Sequence, residues 1–383
     1  MTVAVTGIGL RSALGDLSHS WQALLQGQSG IRLAQPFPAF PPLPLGLIHA
    51  QPSTLADLLP AIALEALADA GLEAKTENWG VVVGSSRACQ GQWEHWVQHP
   101  EGLNAEHQPE HPGEQWLASL PHQAALLASQ VLPQVAVIQS PMAACATGLW
   151  AIAQGCELIR SGMCQQVLAG AVEAPVTPLT LAGFQQMGAL AATGCYPFSE
   201  EREGLVLGEG GVLFVLESLA QAQTRQVPIY GVISGWGFTC DAYHVSAPAP
   251  DNHSAILAVK QAIARSGLAT DQIDLIHAHG TATQLNDHRE AQLIQSLFPA
   301  SVRIMATKGA TGHTLGASGV LGMAFSLLAL KDQQLPPVVG LKTPAFPLNF
   351  AVPTSPLSLR HGLCVSFGFG GQNAAVMLSQ VIR

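Results

Sequence analysis

A cysteine among small residues is the first candidate for chemistry in this sequence. Cys145 lies in MAACATG, between the apolar run VAVIQS (135–140) and apolar residues that recur every three or four positions from Leu149 to Ile159. This spacing predicts a helix that begins at or just after the thiol. A helix N-terminus stabilises a thiolate, and its N–H groups can hold the oxyanion formed when a thiolate attacks a thioester carbonyl. Taken alone, Cys145 is better explained as a small buried side chain, as is Cys156 in the helix.

Three further residues change this balance. His279, in HAHGTATQLND, ends a predicted strand, Lys308 ends another, and His313 stands at the start of the next helix. Functional side chains gather at strand ends in α/β proteins. A helix N-terminus disfavours imidazolium, so we expect a neutral His313 that donates from Nε2–H. A thiol, two imidazoles and an ammonium group together suit carbonyl chemistry.

A glycine-rich segment near the end of the chain is a weaker candidate. SFGFGGQN (366–373) places Phe367 and Phe369 between glycines, which let backbones approach closely. Such a turn can present an oxyanion-binding N–H group and a movable aromatic gate.

A metal site is the alternative for HAH. His277 and His279 would share one face of a strand and could bind a metal together with Asp287 or His288. The spacing supplies only two of the three or four ligands that a metal needs. We therefore expect no metal at this site, and carbonyl chemistry by a thiol and two imidazoles needs no redox cofactor.

Composition excludes several function classes. Charged residues are 11% of the chain, the formal net charge is -9, and the 16 Lys and Arg residues are scattered, so no nucleic-acid surface is expected. Apolar stretches such as residues 320–330 are shorter than the roughly 20 residues of a membrane span and predict buried helices. No secretory signal is recognised, and seven cysteines without a CxxC pair indicate reduced thiols. We expect a cytoplasmic protein.

The elements that must position these residues form a repeat of α/β type. Strands are predicted in the same order in two halves, residues 1–228 and 229–383. The candidates are 3–9, 79–86, 135–140, 165–172 and 210–218, then 229–238, 273–280, 302–308, 364–371 and 373–381. Val135 precedes Cys145 by 10 positions and Val302 precedes His313 by 11, so the thiol and the imidazole occupy equivalent junctions of two halves related by a pseudo-twofold axis. The proline-rich segment 37–47 is predicted to be a surface loop.

Together these motifs resemble the β-ketoacyl-[acyl-carrier-protein] synthases, and among them the elongating condensing enzymes with a Cys-His-His site. The resemblance runs from VAVTGIGLRSALG through ACATG, EEREGLVLGEGG and HAHGTATQLND to KGATGHTLGASG and SFGFGGQN. It implies a thiolase-like fold, in which two βαβ-type halves form an α-β-α-β-α arrangement of layers.

The resemblance also implies a role for each site residue. Cys145 would carry the acyl chain as a thioester, while His279 and His313 would act on malonyl-ACP and stabilise the enolate formed by loss of CO2. Lys308 would order the site together with an acidic partner, for which Glu290 is the candidate.

A gate and an oxyanion hole follow from the same resemblance. Phe369 would be the gating residue, with Phe184 packed against it and Phe367 beside it. The backbone N–H groups of Cys145 and Phe369 would form the oxyanion hole.

The implied partner is an acyl carrier protein that delivers acyl and malonyl groups, and the implied assembly is a homodimer or a pair with a related synthase. Two alternatives stay open. A thiolase would need a second cysteine as base, for which Cys364 is the only candidate, although its place on a strand looks structural. A chain-length factor would pair with an active synthase. Acyl length, and fatty-acid against polyketide synthesis, are left open.

Overall fold

Strands and helices alternate along the chain in the computed structural model, which describes residues 1–72, 78–99, 116–350 and 357–381. The strands are β1 (Val3–Arg11), β2 (Arg32–Ala34), β3 (Leu43–Leu45), β4 (Trp79–Gly84), β5 (Val135–Gln139), β6 (Gln166–Glu173), β7 (Gly210–Ser218), β8 (Gly231–Cys240), β9 (Leu275–His277), β10 (Arg303–Met305), β11 (His361–Gly368) and β12 (Gln372–Ser379). The helices are α1 (Leu17–Leu25), α2 (Leu55–Asp69), α3 (Gln90–Gln98), α4 (Gln123–Ser129), α5 (Thr147–Arg160), α6 (Pro178–Gln186), α7 (Leu219–Arg225), α8 (His253–Ser266), α9 (Gln284–Leu297), α10 (Lys308–Thr311) and α11 (Ser318–Asp332).

Two sets of five strands repeat one topology. The order is β5-β4-β6-β7-β1 in the first half and β10-β9-β11-β12-β8 in the second. In each half the first three strands are parallel, and the last two run antiparallel to their neighbours. The halves join where β1 pairs with β8, with Val3 opposite Ile233. The predicted repeat is confirmed, and it supports our proposal that the halves divide at Pro228.

Helices α5 and α11 lie at the centre, where α5 contacts strands of both halves and also contacts α11. They cross closely at Gly148, where an added Cβ would lie 2.8 Å from the side chain of Val320. Helix α2 covers the outer face of the first half, and α8 that of the second. This arrangement gives the expected order of layers and brings the starts of α5 and α11 together.

Helix α11 is buried on all sides, since every residue from Ser318 to Leu330 is buried. Its mostly apolar sequence is typical of such a helix. In the described part of the chain, one helical stretch, Leu315–Asp332, has the length and composition of a membrane span, but 89% of it is buried within the protein. The prediction of a buried helix over residues 320–330 is confirmed.

Two sequence-based expectations need correction. Residues 37–47 are not simply a surface loop, since β3 pairs with β2 and the side chains of Leu45 and Leu47 are fully buried. Strands β9 and β10 have only three residues each, so the two strand ends lie before His279 and Lys308. Apolar runs predict a strand but do not show where its ladder stops, which depends on neighbouring strands.

Candidate active site

The thiol lies in a sharp turn between β5 and α5. Ala144, the residue before it, has a φ of 48°, a left-handed conformation that is unusual for a residue with a side chain and is common at functional sites. The hydroxyl of Thr147 accepts the N–H of Ala143 at 2.9 Å and donates to the carbonyl of Ala144 at 2.7 Å, which stabilises the turn. Helix α5 begins at Thr147, two residues after Cys145, as predicted.

One cavity of about 110 Å³ is lined by the thiol and both predicted imidazoles. One ligand atom from each of Cys145, His279 and His313 lies within 4.8 Å of the others. The Sγ atom of Cys145 is 3.5 Å from Nε2 of His313, and the two imidazole rings are 5.3 Å apart at 83°. The structure thus brings the three predicted reacting groups together.

Hydrogen bonds determine which nitrogen of His313 carries the proton. The N–H of Leu315 donates to Nδ1 at 3.2 Å, and the hydroxyl of Ser318 lies 2.7 Å from the same atom. A nitrogen that accepts a backbone N–H has no proton of its own, so the proton of the neutral ring is on Nε2. His313 therefore presents an N–H donor to the cavity.

The same argument applies to His279 with a different donor. The ammonium of Lys308 lies 3.4 Å from Nδ1 and also donates to the carbonyl of His279, and the hydroxyl of Ser366 is 3.4 Å from Nδ1. An ammonium group can only donate, so Nδ1 accepts and Nε2 carries the proton. Two N–H donors from separate elements thus face the cavity that contains the thiol.

Glu290 and Lys308 form no direct ion pair among the described residues, but the charge of each influences the pKa of the other. Glu290 therefore stays the candidate acidic partner of Lys308. Its carboxylate accepts the backbone N–H groups of His279 at 2.5 Å and Gly280 at 2.8 Å. Burial raises the pKa of Glu290, and the positive charge of Lys308 acts against this shift. Glu290 therefore positions the backbone that holds His279.

Burial is the largest influence on the charge of all three reacting groups. It raises the pKa of Cys145 to about 11, while the charge of Lys308 and the N–H of Phe369 oppose the shift. Burial, followed by the charge of Lys308, lowers the pKa values of His279 and His313 well below the usual value. The expectation of a neutral His313 agrees with this shift. Burial acts against the stabilisation of the thiolate that the helix start was expected to provide, because desolvation favours the neutral thiol.

The predicted gate lies over the thiol. Phe369 belongs to the turn between β11 and β12 and is 38% exposed, and its ring is 6.0 Å from that of Phe184. Phe367 packs edge-on against His279 at 5.9 Å. The backbone approaches the turn of Cys145 closely at Gly368, where an added Cβ would lie 3.0 Å from the amide nitrogen of Cys145.

The metal site considered for HAH is not assembled. His277 points towards Thr307, with Nε2 3.1 Å from its hydroxyl, and Asp287 accepts the backbone N–H groups of Phe198 and Ala282. His288 packs against another aromatic ring. Within the described ranges, the single group of three possible ligands is Cys145, His279 and His313 itself.

Two further cysteines lie away from the cavity. Cys156 and Cys364 are buried, and Cys364 donates to the hydroxyl of Ser326 at 3.4 Å. Burial raises the pKa of Cys364 to about 12. Neither residue lines the cavity with Cys145.

Sequence reasoning missed several hydroxyl side chains of the site, although they lie within the quoted motifs, because a single hydroxyl does not by itself indicate a role in chemistry. Thr281 and Thr283 line the cavity with their hydroxyls 2.8 Å apart, and Ser366 donates to the carbonyl of Cys145 at 2.7 Å. The position of the two threonines directly after His279 was a usable signal. Ser318 and Ser366 gave none.

Comparison with known proteins places the chain among condensing enzymes. The family model described as Beta-ketoacyl synthase, N-terminal domain, matches residues 51–222, and the model described as Beta-ketoacyl synthase, C-terminal domain, matches residues 230–342. A 3-oxoacyl-[acyl-carrier-protein] synthase 2 of Staphylococcus aureus is 35% identical over 61% of this chain and 61% of its own length. The alignment therefore spans less than two thirds of that relative. The protein of the same name from Coxiella burnetii is 31% identical over 99% of this chain and 98% of its own length.

Solved structures agree in fold over the whole chain. A type II PKS acyl-carrier protein complex with its ketosynthase matches with a TM-score of 0.89 and 25% identity, covering 99% of both chains. The ishigamide ketosynthase/chain length factor matches with a TM-score of 0.87 and 26% identity, covering 100% of this chain and 99% of that one. A β-ketoacyl synthase from Burkholderia phymatum has a TM-score of 0.87 and 25% identity, with both chains fully covered. The thiolase-like fold is confirmed.

Proposed function

Because the chain belongs to the β-ketoacyl synthase family, we propose that it is a 3-oxoacyl-[acyl-carrier-protein] synthase, an acyltransferase. It transfers an acyl chain from an acyl carrier protein to Cys145 and condenses it with malonyl-ACP. The products are β-ketoacyl-ACP and CO2. The observation that carries this proposal is the meeting of one thiol and two imidazole N–H donors in a single cavity.

The first step is a thioester exchange at Cys145. The sulfur attacks the thioester carbonyl of acyl-ACP, and the carrier thiol leaves with the proton that Cys145 gives up. Nε2–H of His313 and the N–H of Phe369 both face Sγ, so they stabilise the anionic sulfur that burial disfavours. The negative charge on the carbonyl oxygen is held by the backbone N–H groups of Cys145 and Phe369.

The second step is the decarboxylation of malonyl-ACP. When the C–C bond to the carboxylate breaks, its electron pair moves into the enolate, and negative charge develops on the thioester oxygen. His279 and His313 donate from Nε2–H to this oxygen, and their neutral state is maintained by burial. A cavity with little water makes these hydrogen bonds stronger than they would be in bulk solvent.

The third step joins the two chains. The enolate carbon attacks the carbonyl of acyl-Cys145, a C–C bond forms, and the sulfur leaves as a thiolate that regains a proton. The hydroxyls of Thr281 and Thr283 lie along the cavity and are suited to bind the amide groups of the carrier's phosphopantetheine arm.

The test of this proposal is to incubate the purified protein with acyl-ACP and malonyl-ACP. We expect an acyl adduct on Cys145 by mass spectrometry, and release of CO2 and β-ketoacyl-ACP. Cys145→Ala removes the nucleophile, so we expect a loss of condensation of about 10³-fold or more. Cys156→Ala, a buried cysteine in α5 that does not line the cavity, is the matched control and should retain activity. Absence of both adduct and CO2 from the native protein would refute the proposal.

The two alternatives make different predictions for the same assay. A thiolase would lose all activity in Cys364→Ala, whereas the bond of Cys364 to Ser326 outside the cavity supports a structural role. A chain-length factor would form no adduct. The presence of Cys145, His279 and His313 in one cavity favours an active synthase.

Assembly and location are part of the proposal. Among the described strands β5 pairs only with β4, and its exposed side chains include Ile138 at 43%. An open strand edge with apolar side chains favours pairing with a second copy, so we propose a homodimer. A pair with a related synthase is the other possible assembly. All seven cysteines are free, which supports a cytoplasmic location.

A further inference from the structure

A positive charge stands beside the wall of the cavity that contains the thiol. Arg87 follows β4, and its guanidinium carbon lies 5.7 Å above the ring of Phe184. Phe184 lines the cavity and belongs to the same apolar cluster as Cys145. The charge of Arg87 is close enough to lower the pKa of Cys145 against the effect of burial.

The backbone of Arg87 is held rigidly. Its N–H donates to the buried carboxylate of Glu173 at 3.3 Å, and Glu173 also accepts the hydroxyl of Ser85 at 2.9 Å and the N–H of Gly316 at 3.1 Å. Ala88, the next residue, has a φ of 48° and donates to the hydroxyl of Ser85 at 3.0 Å. Hydrogen bonds therefore fix the conformation of the loop that carries Arg87, and Glu173 connects this loop to the segment after His313.

The guanidinium group has no acceptor in the part of the chain that the structure describes. In the described ranges Arg87 makes no side-chain hydrogen bond and no ion pair, although it is half-buried. The carboxylate of Glu94 is occupied by Gln90 at 2.8 Å and by the N–H of Leu179 at 2.9 Å. Glu173 is occupied by the backbone groups described above. A half-buried guanidinium that packs on an aromatic ring and has no protein acceptor has its N–H donors available for a ligand.

We propose that Arg87 is a specificity-determining residue, which binds an oxygen acceptor, a carboxylate or a keto group, on the acyl chain carried by Cys145. The inference rests on the proposed function, since it concerns the acyl chain of that reaction. Guanidinium is suited to both acceptors, because its planar N–H donors form paired hydrogen bonds with carboxylates and single ones with ketones. A saturated chain would leave this cation without a partner.

The test uses small acyl donors, so that docking of a carrier protein plays no part. N-acetylcysteamine thioesters of hexanoic, adipic and 3-oxohexanoic acid share a six-carbon chain and differ in the acceptor. In each, Cys145 displaces N-acetylcysteamine, which leaves as the free thiol. The rate of adduct formation on Cys145 is measured by intact-protein mass spectrometry without a malonyl donor.

We expect the native protein to react faster with at least one oxygenated donor than with the hexanoyl donor. Arg87→Leu should reduce that preference by about 10- to 100-fold, the effect of one hydrogen bond to a charged group. Arg87→Lys is the matched control that keeps the charge and should keep part of the preference. The adipyl and 3-oxohexanoyl arms show whether a carboxylate or a keto group is recognised.

Two variants and one control keep the test decisive. Arg87→Gln replaces Arg87→Leu if that variant unfolds, and alkylation of Cys145 by iodoacetamide reports an intact site. An unchanged substrate preference in a folded variant without the charge would overturn the inference. If that variant also dimerises more weakly, Arg87 belongs to a subunit contact instead. If no donor acylates Cys145 of the native protein, the proposed function fails. If the donors acylate Cys145 but the preference does not depend on Arg87, only the present inference fails.

Discussion

The turn before α5 and the turn before α11 occupy equivalent places in the two halves, yet they contribute different chemistry. Each follows the strand at the outer edge of its half, β5 or β10, and each leads towards a helix at the centre of the molecule. The first turn carries the thiol of Cys145 and the second carries the imidazole of His313, with 3.5 Å between Sγ and Nε2. A repeated scaffold thus places equivalent positions face to face, and their different side chains form the proposed reaction site.

Burial favours the protonation state that the proposed reaction needs at His313 and disfavours the one that it needs at Cys145. It removes the charge from both, since it raises the pKa of Cys145 to about 11 and lowers that of His313. A neutral imidazole is the state that donates from Nε2–H, so the second turn is ready before substrate arrives. A thiol must lose its proton to react, so the first turn depends on N–H donors and on Lys308.

The largest effect that would separate the two turns is expected from His313→Ala. Condensation should fall by about 10²- to 10³-fold, because one of two donors to the enolate oxygen is lost. Acylation of Cys145 should fall by no more than about tenfold, the effect of one hydrogen bond, so acyl-enzyme accumulates. The measurement is the rate of β-ketoacyl-ACP formation beside the mass of the acylated protein.

The control for this prediction is His361→Ala, a half-buried imidazole bonded to Ser379 at the far end of β11. It should leave both steps unchanged. If His313→Ala slowed acylation as much as condensation, the assignment of different steps to the two turns would be wrong.

The pH dependence should also separate them. Because the pKa of Cys145 is raised to about 11, its thiolate fraction rises about tenfold per pH unit between pH 7 and pH 9. Alkylation of Cys145 by iodoacetamide should follow this rise. The pKa values of His279 and His313 lie below this range, so decarboxylation by pre-acylated protein should stay flat.

Labelled Cys145 is counted by peptide mass spectrometry, which separates it from the exposed thiol of Cys240. If the alkylation rate of Cys145 already reached a plateau at pH 7, the thiol would be ionised there. The hydrogen-bond donors around Sγ would then outweigh desolvation, and the prediction would be wrong.

The smallest effect is expected from Ser318→Ala, which sharpens the argument on the second turn. Its hydroxyl lies 2.7 Å from Nδ1 of His313, so its loss weakens the preference for Nε2–H and should slow condensation by about tenfold. Acylation should slow less than condensation, because His313 supplies only one of the hydrogen bonds that stabilise the anionic sulfur in that step. Ser326→Ala, in the same helix but bonded to the carbonyl of Gly322, is the control, and equal rates in the two variants would contradict the assignment.

Most of the fold could be predicted because its signals are local. Apolar runs located β1, β4, β5 and β7 within a few residues, and the equivalent order of strands revealed the repeat. Residues 37–42 form a loop as predicted, whereas residues 43–47 were predicted wrongly. The prolines indicate a loop, while burial of Leu45 depends on the cluster around Cys145. Long-range packing decides such short strands, and no local pattern contains it.

The sequence predicted which residues form the site but not which hydrogen bonds and ion pairs connect them. Cys145, His279, Lys308 and His313 have side chains whose chemistry is visible in any sequence. Among the described residues Lys308 and Glu290 interact through their charges, and each bonds directly to the segment at His279, which the sequence did not indicate. Arg87 had no motif to mark it, because an arginine after a strand is ordinary until its neighbours are known.

The sequence by itself determined which groups could react and which elements carry them, because residue identity and periodicity are properties of neighbours along the chain. Only the tertiary structure decided that Cys145 meets His313, 168 residues away, and which nitrogen of each imidazole keeps its proton. The physical reason is that burial, pKa shifts and hydrogen-bond partners arise where distant segments pack together.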